Sequence, residues 1–141
     1  MKTLRSMMLG LVMLAFYGAA KADTNDNGKL TQTYAVNTYV DAMTRGRLSG
    51  LNDVLDNSAS FSMVRGKQVL SYGKKQMLDY FKSNRNTEQI CTTSTSIVES
   101  NASIAIVKVD MKYTDFTRSN YVTIANTGNG WKITNVYSTF S

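Results

Sequence analysis

The chain has 141 residues, 43% apolar and 18% charged, which is enough for one domain with a modest core and too little for a multidomain enzyme. It holds no His, one Cys and no Pro. That excludes a Ser-His-Asp triad and a Cys/His zinc site built from this chain, and argues against a proline-rich linker. The formal net charge is +6, but part of that excess sits at the very start of the chain.

Residues 1–22 read as a signal peptide. Lys2 and Arg5 form a positive opening, Met7 to Phe16 an apolar run broken only by Gly10, and Ala20-Lys21-Ala22 a small-residue cleavage site, with cleavage after Ala22. The apolar run is shorter than the roughly 20 residues a spanning helix needs, and no Cys follows it for lipid attachment. The expectation is an exported protein, periplasmic or extracellular, with no membrane anchor after signal removal. Taking away Lys2, Arg5 and Lys21 leaves 13 basic and 10 acidic residues, net +3. These cations are scattered (Arg45 and Arg47, Lys74 and Lys75, Lys108 and Lys112) rather than gathered into the stripe a nucleic acid requires, so no nucleic-acid partner is expected. Cys91 has no internal disulfide partner and reads as a small, partly buried side chain in a Thr/Ser-rich stretch.

Residues 23–30 form a flexible polar leader. Asp23, Asn25, Asn27 and Gly28 fit the first half of a calcium loop, but Tyr34 stands where a bidentate Glu should close it, so no metal site is expected. From Thr31 the apolar positions Val36, Tyr39, Val40 and Met43 recur at helical spacing, and Gly46 stops the helix. Leu48, Leu51, Val54 and Leu55 predict a second, shorter helix ended by Asp56-Asn57. Ala59, Phe61 and Met63 alternate with Ser60, Ser62 and Val64 as a half-buried strand. Gly66 turns the chain into a short strand, Gln68–Tyr72. Lys74–Asn84 return to helix, with Met77, Leu78 and Phe81 inward. Four long strands follow: Thr87–Glu99, Ala102–Tyr113, Phe116–Ala125 and Trp131–Phe140. Ser100-Asn101 and Thr127-Gly128-Asn129-Gly130 mark the hairpins, Asn-Gly being suited to positive φ. The order helix-helix-strand-strand-helix-four strands predicts an α+β domain over residues 31–141, its three helices packed on a curved, mainly antiparallel sheet.

Two stretches carry a family resemblance. Tyr39-Val40-Asp41-Ala42-Met43, the turn Gly46-Arg47-Leu48-Ser49-Gly50-Leu51, and Leu55 with Ala59 to Met63 resemble the opening of the nuclear transport factor 2-like superfamily, a cone-shaped α+β fold shared with ketosteroid isomerases. Gly73 with Met77-Leu78-Asp79-Tyr80-Phe81 is similar to its third helix. Tyr113-Thr114-Asp115-Phe116 and Gly130-Trp131-Lys132-Ile133-Thr134-Asn135 resemble the lumazine-binding branch of that superfamily. The isomerases use a Tyr and a protonated acid as oxyanion hole and a carboxylate base. Carried over by position, the resemblance puts the Tyr at Tyr39, the base at Met63 and the second acid near Val122. A thioether cannot take a proton from carbon, so inherited catalysis is not expected, nor any cofactor.

What the resemblance leaves is a cone pocket. Alternation places Tyr39, Met43, Phe61, Met63, Val122 and Ile124 along it, with Tyr80 and Tyr113 beside them, a lining suited to a small apolar or aromatic ligand with Tyr39 as polar anchor. The same side chains could equally fill a closed core. Asp53 and Asp56 read as solvated carboxylates rather than an acid–base pair. A different function class remains open as well: a homodimer through the outer sheet face, formed by Lys108, Asp110, Lys112, Tyr121, Lys132 and Thr134.

Overall fold

The computed structural model describes residues 30–141. The expected signal peptide, and the leader apart from Leu30, lie outside the described residues.

Helix α1 (Gln32–Arg45) begins where the Thr31 side chain accepts the Tyr34 N–H at 3.1 Å. It ends at Gly46, in the left-handed region at φ 66°, whose N–H reaches Ala42 C=O at 3.1 Å. The second helix is shorter than its apolar spacing predicts: α2 is the four residues Leu51–Val54, and Leu55 already belongs to β1 (Leu55–Arg65). Leu55 buries its side chain by pairing with Ile133 of the last strand, which a further helical turn would prevent. Asp56 therefore ends no helix. It sits in the irregular start of β1, where its carboxylate accepts the N–H and the hydroxyl of Ser58, and these bonds hold it below the usual carboxylate range. Lys74 fastens the same corner, its ammonium donating to Leu55 C=O at 2.9 Å and Asn52 C=O at 3.1 Å.

A turn at Gly66 leads to β2 (Gln68–Gly73), then α3 (Lys74–Ser83), β3 (Thr92–Ser100), β4 (Ile104–Lys112), β5 (Thr117–Thr127) and β6 (Gly130–Phe140). The six strands form one open sheet in the order β2-β1-β6-β5-β4-β3, antiparallel throughout except for the parallel pair β1–β6. The α+β architecture and its element order are as expected. Residues 87–91, expected as strand, are not. They run back past the end of α1, with Asn86 N–H on Gly46 C=O at 3.0 Å and Gln89 N–H on Thr44 C=O at 2.6 Å. In the last hairpin the positive φ falls on Gly130 (96°), not on Asn129, while the Thr127 hydroxyl donates to Gly130 C=O at 2.7 Å. On the edge strand β3 the register slips between Ile97 and Glu99.

One sheet face makes the core. Val107, Val109, Val122, Ile124, Ile133 and Val136 are all at most 1% exposed and pack with Val36 and Tyr39 of α1 and with Phe81 of α3 in one cluster. The other face is polar. Lys108 pairs with Asp110 at 3.7 Å and lies 5.8 Å from the centre of the Tyr121 ring, and Ser119 donates to Asp110 at 2.6 Å.

Two glycines separate backbone strain from crowding. A Cβ at Gly46 would stand 2.5 Å from Asn86 N and 2.6 Å from Asn84 O, whereas at Gly66 (φ 64°) it would meet open space. Gly66→Ala is expected to cost about 1 kcal/mol from φ alone. Gly46→Ala must also push the 84–87 segment off the helix end, so its cost should exceed about 2 kcal/mol. Urea denaturation of the two variants measures the difference, and equal losses would contradict this account.

Candidate functional site

The core fills one end of the sheet and leaves space at the other. β1 and β6 run parallel and β5 antiparallel to them, so the ends of β1 and β6 and the start of β5 meet at one mouth. A cleft of about 1200 Å³ opens there. Met63 to Gly66 and Tyr72 of the first hairpin form one wall, Gln76, Met77 and Tyr80 of α3 another, and Phe116, Arg118 and residues 139–141 the third. A small chamber of about 50 Å³ lies beside it, reaching Met43 on α1, Gln89, Met111 and Tyr113, with Met77, Tyr80 and Arg118 common to both.

Rings dominate the mouth. Tyr113 and Phe116 stack with centroids 4.6 Å apart and planes 14° from parallel, and Phe140 follows at 6.2 Å from Phe116. Tyr80 is 56% exposed, Phe140 46% and Phe116 43%, so three large rings face solvent around one cavity. The Tyr113 hydroxyl donates to Gln89 at 3.2 Å. Burial pushes both that hydroxyl and the neighbouring Cys91 thiol up from their ordinary values.

A polar knot underlies the rings. Asn120 is fully buried and Ser138 nearly so, opposite one another in the β5–β6 register. The Asn120 carbonyl oxygen accepts from Ser138 Oγ at 2.7 Å and from Arg118 Nε at 2.9 Å. Its amide nitrogen donates to Val109 C=O at 3.2 Å and approaches Met111 Sδ at 3.5 Å. A buried carboxamide is tolerable only when satisfied in this way. Its placement fixes the guanidinium of Arg118, which also lies 5.7 Å from the Phe140 ring centre.

The eight residues expected along the pocket separate into two groups. Met63 lines the cleft, Met43 and Tyr113 the small chamber, and Tyr80 both. Tyr39, Phe61, Val122 and Ile124 line neither; they are at most 3% exposed and belong to the core, because α1 and α3 close directly on the sheet there. Sequence reasoning missed Arg118, Asn120, Ser138, Phe116 and Phe140. The signal was present in part: residues 118 and 120 share the parity of the inward positions 122 and 124, and residues 138 and 140 that of 136.

Residues 29–138 match the family model described as "Putative lumazine-binding". No curated protein matches the chain. Among solved structures it is similar to a nuclear transport factor 2-like protein of unknown function from Silicibacter pomeroyi, with 21% identity and a TM-score of 0.65 over 77% of this chain and 92% of that one. A nuclear transport factor 2-like protein from Cytophaga hutchinsonii gives 14% identity and a TM-score of 0.60 over 74% and 91%. A "putative ketosteroid isomerase" from Parabacteroides distasonis gives 11% and 0.56 over 77% and 86%. At these identities the likeness is one of fold. The family match spans most of the chain, and the protein belongs to the family described as "Putative lumazine-binding" and has a nuclear transport factor 2-like fold.

Tyr39, expected as the polar anchor, has its ring fully buried between Phe61 (6.2 Å, stacked) and Phe81 (6.1 Å, edge-on). Its hydroxyl is buried with no hydrogen-bond partner among the described residues. Burial pushes its pKa from 10.0 up to about 12, against the opposing pull of the Arg118 charge. Tyr39→Phe should therefore raise stability by about 1 kcal/mol, since it removes an unsatisfied polar atom and keeps the ring. The unfolded chain releases this proton near 10 and the folded chain only near 12. Stability is thus lost as pH rises through that window, and between neutral pH and pH 11 the native protein should lose about 1 kcal/mol more than Tyr39→Phe. Urea denaturation of both proteins at the two pH values checks each sign.

Proposed function

We propose that this member of the lumazine-binding family is an exported, non-catalytic binding protein that holds a planar, largely aromatic small molecule in the mouth cleft. The observation that carries this reading is the conjunction of a large open cleft with the exposed rings of Tyr80, Phe116 and Phe140 on its walls. Rings left half in water at a cavity gain by taking a flat apolar partner. Two facts support the absence of chemistry. No acidic side chain lines either cavity, and Met63, at the position the resemblance assigns to the isomerase base, presents a thioether to the cleft. Export rests on the signal-like residues 1–22.

Thermal-shift measurements with lumazine, riboflavin and a steroid test the reading. A flat heteroaromatic should raise Tm. Tyr80→Ala and Phe116→Ala should each weaken its binding by about 1 kcal/mol, through loss of ring contact, with the stability lost from the Tyr80–Phe81 and Tyr113–Phe116 ring pairs read separately from unfolding of the free variants. If none of the three compounds shifts Tm, the binding reading falls.

A second reading, self-association through the outer sheet face, is favoured by Tyr121 and Tyr137. They stand directly opposite in the β5–β6 register, with Tyr137 37% exposed. Light scattering over a range of concentrations should then show mass rising toward a dimer, and a strict monomer at every concentration removes the reading.

A further inference from the structure

The cleft has a charge that the aromatic reading does not use. Arg118 lines both cavities and Arg65 lines the larger, while no acidic side chain lines either. Among the described residues the ion pairs are Arg45–Asp41 and Lys108–Asp110, so Arg118 has no carboxylate partner. Two of its five N–H groups are directed at Asn120 and Ser138, at 2.9 and 3.4 Å, which leaves three without a protein acceptor. Ser141 also borders the cleft, but its C=O accepts the Thr117 N–H at 2.9 Å and its N–H donates to Thr117 C=O at 3.0 Å.

A partly buried guanidinium on the wall of an open cleft, with no ion-pair partner among the described residues, is available to receive an anion. A fully buried carboxamide and a buried hydroxyl hold the cation in place instead of letting it swing into water. The Phe140 ring against its face restricts it further. We infer that the cleft selects an anionic aromatic ligand, with a carboxylate or comparable oxyanion on the edge of the ring system received by Arg118 while the ring lies against Phe116 and Tyr80. This rests on the aromatic-binding reading and adds the ligand's charge to it. A guanidinium fork suits a planar two-oxygen anion, which places the anion in the plane of the ring it belongs to.

The test uses two probes of one shape, 2-naphthoate and 2-naphthamide, titrated into the protein by calorimetry at neutral pH. Naphthoate should bind about tenfold tighter than naphthamide. Raising the salt to roughly 1 M should erode that preference and leave naphthamide unmoved. Arg118→Gln should abolish the preference, so that the variant binds naphthoate and naphthamide with affinities within about twofold of one another. The salt series on the unmutated protein decides the matter alone if Arg118→Gln does not fold. Equal affinities, a preference for the amide, or a preference that survives both salt and Arg118→Gln would overturn the anion assignment and leave aromatic binding standing. Failure of both probes to bind would overturn the two together.

Discussion

The ring of Tyr39 stands between Phe61 and Phe81 and so joins α1 to β1 and α3 in a single contact. Burying a ring of that size stabilises by roughly 2 kcal/mol. It also decides where the interior can be solid. Around it Val122 and Ile124 on the sheet leave no room for a guest. The large cleft opens beyond these rings, where β1 and β6 end and β5 begins. The cleft is thus a consequence of how far the core extends along the strands, with Met77 of the core forming part of its wall.

Much of the fold was legible because most segments obey one period. Val36, Tyr39, Val40 and Met43 have the spacing of a helix face, and Ala105, Val107, Val109 and Met111 that of a strand face, and each set is buried or partly buried as that spacing requires. Failures came where tertiary demand replaced local preference. Leu55 looks helical by its spacing from Leu51 but leaves the helix to meet Ile133, a residue 78 positions away. Residues 87–91 look like the start of a strand because the stretch that continues from them is rich in Thr, Ser, Ile and Val, yet the Gln89 N–H is taken up by Thr44 at the end of α1 and the Thr87 N–H by Asn84. The parallel pairing of β1 with β6 has no local signature at all.

The site was legible to a smaller degree, for a related reason. Inward parity marks apolar residues as candidates for a pocket, but being inward says nothing about whether a neighbour already fills the space. Polar residues at the same parity carry the better signal. Arg118, Asn120 and Ser138 break an otherwise apolar inner face in adjacent strands, and such a break is tolerable only because the three satisfy one another. An isolated Asn on a strand would suggest a turn; an Asn in phase with buried valines points to a built polar centre.

The open sheet carries a hazard of its own. Its edge strand β3 is nine residues long, dominated by Thr, Ser, Ile and Val, with its outer backbone groups unpaired within the sheet. Such an edge is a template for cross-β growth with other chains. Proline, a common guard, is absent from the whole sequence. The register slip between Ile97 and Glu99 interrupts the regular ladder, and Glu99 sets a carboxylate in the strand beside it, two features of the kind that discourage edge-to-edge pairing. At the opposite edge β2 is protected by brevity, six residues that pass directly into α3.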